Sequence, residues 1–220
     1  MNVPPLLLAI DAASPQVSVA VGRGGDLLAE RAVEIGRSSG RLIDLIGEVL
    51  AEAGARPEDL GGVVALRGPG SFTGLRVGLA TALGLHQALG VPATALSTLR
   101  VLSTLADGPV VAAVDALRGE WSVQAFGPPG PSQDMDLLPG PRIPLLFPDG
   151  AGTVVGFGVS RLAGPDWPEE VKLLEAGPLA GAAVRLASSL DLEWDADLLV
   201  RPLYSRPPAV TPARPRGSLA

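Results

Sequence analysis

The chain has 220 residues, with 17 basic against 23 acidic side chains and a formal charge of -6 at pH 7. An acidic surface repels phosphate backbones, so tight binding of RNA or DNA by this chain alone is not expected. There is no cysteine, which excludes thiol catalysis, disulfides and thiolate metal sites. The single histidine, His86, excludes a cluster of imidazole ligands and is expected to be structural, so no metal site is predicted.

The N-terminus gives no targeting signal. "MNVPPLLLAIDAAS" has no basic region, and its apolar run ends at Asp11, which is typical of a strand rather than a signal peptide. In the most apolar helical stretch, Arg76 and His86 leave nine uncharged residues between them, roughly half of a membrane span. We therefore expect a soluble cytoplasmic protein without membrane contact.

The first half of the chain predicts an α/β unit. Three strands are expected at 6–11, 17–21 and 27–35. In "SSGRLIDLIGEVLAEAG" the apolar residues recur at helical spacing, with Ser38 or Ser39 as N-cap and Gly54 as C-cap. Further along, the pattern predicts a strand at 62–66, a helix at 73–89, a strand near Ala93 and a helix at 97–106.

The second half begins with an internal repeat of the first. Asp11 and Asp115 each follow an apolar run and each precede a Ser-Val pair by seven residues, 104 positions apart. A Gly- and Pro-rich loop region at 127–152, a strand at 153–159 and a helix at 179–190 follow. We expect one subdomain at 1–108, its copy at 109–205, and a disordered Pro-rich tail at 206–220.

The stretch "RGPGSFTGLRVGLATALGL" at 67–85 matches neither of the common nucleotide loops nor a nucleophile elbow. Two interpretations stay open for it. Either its glycines turn the chain and a hydroxyl caps the helix, or Gly68, Gly70 and Ser71 contact an anion or nucleotide. Likewise, Asp11 and Asp115 either cap their strand ends or face each other across a cleft and approach the magnesium and phosphates of ATP.

The helix after this loop is apolar on every side, and a helix apolar all round is buried all round. Its four-spaced small residues are best explained if another backbone comes close, since interior glycine is unfavourable in a helix. A partner protein is one explanation, and burial inside a larger domain is the other. The residues expected at a partner interface are Leu42, Ile46, Val49, Gly74, Gly78, Leu79, Ala82 and Leu83.

Five segments together resemble the TsaB (YeaZ) family: "LLLAIDAASPQVSVAV", the glycine-loop stretch, "STL" at 97–99, "AAVDALRGEW" and "VRPLYSR" at 200–206. The resemblance implies a duplicated actin-like ATPase fold, related to ribonuclease H, with mixed sheets and flanking helices. It also implies a noncatalytic subunit that pairs with TsaD, together with TsaE, for threonylcarbamoyl transfer to N6 of adenosine 37 in tRNA.

The resemblance places the TsaD interface at residues 38–53 and 73–89, where a competing homodimer would also form. In this reading the complex uses ATP, the chain has no cofactor of its own, and tRNA is contacted only indirectly. Many TsaB sequences carry a histidine near Ser38, and this one does not. A sugar-kinase-like enzyme or ATPase that uses Asp11 and Asp115 is the alternative; a peptidase would need a catalytic constellation that the sequence lacks.

Overall fold

A computed structural model describes residues 4–34, 41–127, 134–190, 192 and 194–206. These residues form two five-stranded sheets and four α-helices. The strands are β1 Leu6–Asp11, β2 Gln16–Arg23, β3 Asp26–Glu34, β4 Leu60–Leu66, β5 Ala93–Leu96, β6 Val110–Asp115, β7 Glu120–Phe126, β8 Asp136–Pro139, β9 Gly152–Gly156 and β10 Val171–Glu175. The helices are α1 Leu42–Glu52, α2 Phe72–Leu89, α3 Thr98–Leu102 and α4 Ala180–Ser189.

The two sheets have the same topology. Their strand orders are β3-β2-β1-β4-β5 and, read in the matching direction, β8-β7-β6-β9-β10. In each sheet the first three strands along the chain are antiparallel neighbours, and the last two add in parallel. The predicted duplicated α/β fold with mixed sheets is confirmed.

Alternation along the central strands builds the core in layers, because successive side chains of a strand point to opposite faces. In β1, Leu8 and Ile10 face α1 and α2, while Leu7 and Ala9 face the opposite side. That opposite side packs on α4, while α3 packs on β6 of the second sheet and contacts α4. One buried cluster joins these elements and includes Ala112. The two sheets therefore share a middle layer of two helices.

The structure differs from the sequence expectations in several elements. The strands β8 and β10 were not predicted, because they are short edge strands in segments rich in Pro, Gly and charge. The expected second subdomain, 109–205, does not stay with the second sheet, since α4 packs on β1 and β2 and residues 196–200 pack on β5 and α2. Helix α1 begins at Leu42 with Arg41 at its N-cap, so the cap expected at Ser38 or Ser39 is wrong. Those two serines and residues 207–220 of the predicted tail lie outside the described residues. Across the described ranges, no helix is long and apolar enough to cross a membrane.

The two small-residue positions on α2 that lie closest to the sheet are glycines for a local reason. A Cβ on Gly74 would collide with the carbonyl oxygen of Ala12, and one on Gly78 would lie 3.1 Å from the Ala12 Cβ. At Gly84, on the other side of the helix, an added Cβ would meet nothing within 4 Å. The backbone approach expected for these glycines is therefore made by the chain itself at Gly74 and Gly78, but not at Gly84.

The two glycines Gly74 and Gly84 form a matched pair for a stability test. We expect Gly74→Ala to destabilise the fold by about 1–3 kcal/mol, because the methyl group overpacks against the β1–β2 turn. We expect Gly84→Ala to stabilise it by up to about 1 kcal/mol, because alanine is the better helix former and has room. Urea unfolding of both variants measures this; a stabilising Gly74→Ala would contradict the packing described.

Candidate functional site

The glycine loop before α2 is packed against other parts of the same chain. Gly68 has a φ of +99°, and a side chain there would collide with the Leu203 carbonyl oxygen. A Cβ on Gly70 would collide with the Ala13 carbonyl oxygen, and the Ser71 N–H donates to that same oxygen at 2.8 Å. The turn-and-cap interpretation of this loop thus accounts for Gly68 and Gly70 without a ligand.

Ser71 caps helix α2. Its Oγ accepts a hydrogen bond from the Gly74 N–H at 3.2 Å, which satisfies one of the free donors of the first turn. The far end of the helix closes on Gly90 in the left-handed conformation, which glycine adopts without strain. Nδ1 of His86 lies 2.7 Å from the Val91 carbonyl oxygen, so this histidine contacts the backbone just after the helix.

Asp11 is fully buried at the end of β1 and caps the turn that follows. Its Oδ1 accepts from the N–H groups of Ala13 and Ser14, at 2.9 and 3.1 Å, while Oδ2 has no hydrogen-bond partner. Burial raises the pKa of Asp11 from 3.8 to about 6, against the lowering effect of hydrogen bonds from Ser14 and Ala13. A carboxyl group enclosed in this way does not reach into the cleft, so the expectation that Asp11 faces Asp115 across it is wrong.

Asp115, the counterpart of Asp11 in the second sheet, does line the cleft, but both of its oxygens are engaged. Oδ1 accepts from the Leu117 N–H at 2.7 Å, and Oδ2 pairs with Arg161 at 2.8 Å. The turn after Asp115 holds Leu117 and Arg118 at positive φ, unlike the turn after Asp11. The repeated aspartates thus share the strand-end capping role and differ in their surroundings.

Two backbone N–H groups on the second-sheet side are bound by a carboxylate of the chain itself. The N–H groups of Gly158 and Ser160 donate to the two oxygens of Glu175, each at 2.7 Å. Although burial acts to raise the pKa of Glu175, the hydrogen bonds from Ser160 and Gly158 and the charge of Arg161 lower it overall. Two backbone donors that could hold an anion here already hold one.

Between these groups lies a cleft of about 960 Å³. It is lined by both sheets, for example by Ser14 and Thr98 on one side and Phe157 and Arg161 on the other. In the described ranges, no three His, Cys, Asp or Glu side chains come together as a candidate metal site. Since Asp11 is enclosed and Asp115 is paired, the arrangement does not favour a site for magnesium and a triphosphate.

The residues expected at a partner interface lie mostly inside the chain. The core between α1, α2 and the first sheet buries Leu42, Ile46, Val49, Leu79 and Ala82, and Leu83 packs against it. Gly78 is buried, and Gly74 lies against the β1–β2 turn. The expectation that these side chains form a contact surface is therefore corrected. They are buried because one stripe of each helix must cover the sheet.

The opposite sides of the same two helices are exposed. The exposed side of α2 is largely apolar, whereas that of α1 also carries the acidic residues Asp44, Glu48 and Glu52. The exposed sides carry Arg76, Val77, Ala80, Gly84 and Ala88 on α2, and Ile43, Gly47 and Ala51 on α1. We call these eight residues the outer helix face. Val77 and Ile43 have exposed fractions of 47% and 62%, so α2 is not buried all round. The helical period of the sequence places these residues together on one side of each helix. Hydrophobicity alone does not distinguish this side from the side that is buried against the sheet.

Two copies of one mixed five-stranded sheet around shared helices define a duplicated, actin-like α/β fold. Among solved structures, YeaZ from Pseudomonas aeruginosa has a TM-score of 0.69 and 27% identity, over 84% of this chain and 91% of that chain. EutJ from Carboxydothermus hydrogenoformans, at 12% identity and a TM-score of 0.52, shares the fold alone. The chain belongs to the TsaB/YeaZ family.

Sequence relatives agree. An uncharacterized protein of Mycobacterium tuberculosis is 35% identical over 79% of this chain and 95% of its own length. The tRNA threonylcarbamoyladenosine biosynthesis protein TsaB of Escherichia coli is 34% identical over 52% of each chain. Residues 35–126 match the family model of TsaD, described as tRNA N6-adenosine threonylcarbamoyltransferase.

The raised pKa of Asp11 predicts a specific pH dependence. Between about pH 4 and 6 the folded chain keeps a proton that the unfolded chain has lost, so stability falls as pH rises through this window. A shift from 3.8 to about 6 corresponds to about 3 kcal/mol. Asp11→Asn stays neutral and keeps an acceptor oxygen, so we expect it to be more stable than the parent chain at pH 7 and equally stable near pH 3.

Thermal melting of both chains from pH 3 to 8 measures the difference in their stability. The other carboxylates are common to both chains, so their contributions cancel. If the two curves run parallel over the whole range, Asp11 does not titrate as described.

Proposed function

We propose that this chain is a noncatalytic subunit that binds a TsaD-type transferase through the outer helix face and supports formation of threonylcarbamoyladenosine in tRNA. The observation that carries the proposal is the exposure of an apolar face on two neighbouring helices of a TsaB/YeaZ family member. The name of the Escherichia coli relative supports the pathway, and the match of residues 35–126 to the TsaD model is compatible with pairing between similar folds.

The composition of the outer helix face fits a protein partner. Among its α2 members only Arg76 is charged, whereas solvent-facing helix surfaces usually carry several charges. Ala80, Gly84 and Ala88 recur every four residues, so a partner backbone could approach closely along this line. Gly84 is unfavourable in the free helix and has no packing reason among the described residues, so a close partner contact would explain it.

The cleft supports a noncatalytic role. The two aspartates that an actin-like ATPase would use are an enclosed cap at Asp11 and an ion-paired cap at Asp115. ATP would then be used by the complex at another subunit, and this chain would need no cofactor of its own. With a net charge of -6, tRNA would contact mainly the other subunits.

The outer helix face would also serve a homodimer, since two copies of one apolar face can pair with each other. Such a homodimer would compete with the TsaD-type partner for the same surface. TsaE would join the heterodimer, and the assembly would act in the cytoplasm.

Charge on the outer helix face tests the interface. We expect Val77→Glu to leave thermal stability unchanged and to abolish binding of the TsaD-type partner, because a carboxylate would be buried in an apolar contact. Leu79→Glu, on the buried side of the same helix, should instead unfold the chain. Melting, light-scattering mass and pull-down of the purified partner give the three readouts.

Leu145→Glu is the matched control, because Leu145 is 75% exposed but lies outside the outer helix face. It should bind the partner as the parent chain does. Normal partner binding by Val77→Glu would show that this face is not the interface.

A second experiment addresses catalysis. We expect the isolated chain to transfer no threonylcarbamoyl group. We expect it to increase transfer only when the TsaD-type partner is added. A radiolabelled, activated threonylcarbamoyl donor and tRNA provide the assay, with the partner alone as control. ATP turnover by the isolated chain that disappears in Asp115→Ala would favour the ATPase alternative instead.

A further inference from the structure

Four residues near the C-terminal end of the described chain, 203–206, run across the mouth of the cleft; we call them the clasp. One end is fixed to the first sheet. The Leu203 N–H donates to the Arg67 carbonyl oxygen at 2.6 Å, where β4 leads into the glycine loop. The Tyr204 ring then packs on Phe72, the first residue of α2, with 5.1 Å between the ring centroids. The guanidinium carbon of Arg76 lies over the Phe72 ring, 4.0 Å from its centroid.

The other end of the clasp is fixed to the second sheet. Ser122 Oγ donates to Ser205 Oγ at 2.6 Å. Arg206 donates through Nη1 to the Ala116 carbonyl oxygen at 3.2 Å and forms an ion pair with Glu120. Both Ala116 and Glu120 belong to the β6–β7 hairpin, whose turn lines the cleft. Within four residues, the chain therefore joins the start of α2 to a hairpin of the other sheet.

We propose that the clasp is a conformational device that couples the first turn of α2 to the β6–β7 hairpin across the cleft. Its contacts are made by consecutive residues, by the Leu203 backbone and the Tyr204 ring at one end and by the Ser205 and Arg206 side chains at the other. Loosening one end therefore frees the other. A charged pair that is only half buried can open without unfolding the core, which the two sheets share through α3 and α4. The hairpin it holds is strained at Leu117 and Arg118, both at positive φ.

The coupling reaches the outer helix face. Arg76, which supports the clasp, belongs to the outer helix face and directly precedes Val77, and Phe72 lies a little over one turn earlier on α2. A partner seated on that face would press on the same turn and change the hairpin on the far side of the cleft. This last step rests on the proposed function, whereas the coupling within the chain does not.

Hydrogen exchange of the free, full-length chain tests the coupling from both ends. In Arg206→Ala we expect the amides of Gly74 and Leu75, in the first turn of α2, to exchange about tenfold faster, as the loss of a charge-assisted bond to the hairpin propagates through Tyr204. In Phe72→Ala we expect the same direction of change at Ala116 and Glu120. A coupling between the two ends predicts an effect in each direction.

Two control variants separate coupling from local loosening. Arg161→Ala removes another ion pair of the same hairpin turn without touching the clasp, and should leave Gly74 and Leu75 unchanged. Val77→Ala alters α2 beside the clasp and should leave Ala116 and Glu120 unchanged. Amides of the central strand β1 report whether the fold as a whole is intact, and Ser205→Ala provides a milder break if Arg206→Ala loosens it.

Faster exchange at the distant end in both directions, with silent controls, supports the proposal. Changes confined to the mutated end, or equal effects from Arg161→Ala, overturn it. Adding the TsaD-type partner then tests the last step: protection of Ala116 and Glu120 in the parent chain should be lost in Arg206→Ala. A partner that fails to bind the parent chain contradicts the proposed function and leaves the free-chain result standing.

Discussion

The close approach of helix α2 to the β1–β2 turn is the contact on which the remainder of this structure depends. Gly70 and Gly74 leave no room for a side chain beside Ala12 and Ala13, and the Ser71 N–H binds the Ala13 carbonyl oxygen. This contact fixes where α2 starts and which stripe of it covers the sheet. The same rotation of the helix turns Val77, Ala80 and Gly84 toward solvent.

The cleft illustrates how one fold can keep its architecture while its polar groups are used differently. Each strand-end aspartate accepts hydrogen bonds from the turn that follows it, and Glu175 occupies two backbone donors of the second half. A buried polar group is costly unless it is bonded, so these internal bonds stabilise the cleft without a ligand.

Much of the fold follows from local patterns. The alternation of β1 and the helical period of α1 and α2 predicted those elements to within a residue or two at most ends, and the repeated Asp at 11 and 115 indicated the duplication that the two sheets confirm. The edge strands β8 and β10 were missed, since a short edge strand is defined by its neighbour more than by its own residues. The repeat was also one residue out of register: Asp11 pairs with Ser18, but Asp115 with Trp121.

The sequence by itself determined the α/β class and the lack of cysteine chemistry, and its repeat indicated the duplication, because composition and local pattern carry these features. It predicted a hydroxyl cap for α2 without deciding between that cap and an anion contact. It could not decide which stripe of α2 is exposed, since glycine and alanine occur on both sides and only the distance to Ala12 distinguishes Gly74 from Gly84. It could not reveal that Arg161 pairs with Asp115 or that Arg206 reaches Glu120. Those contacts join residues 46 and 86 positions apart, and only the packing of the two sheets brings them together.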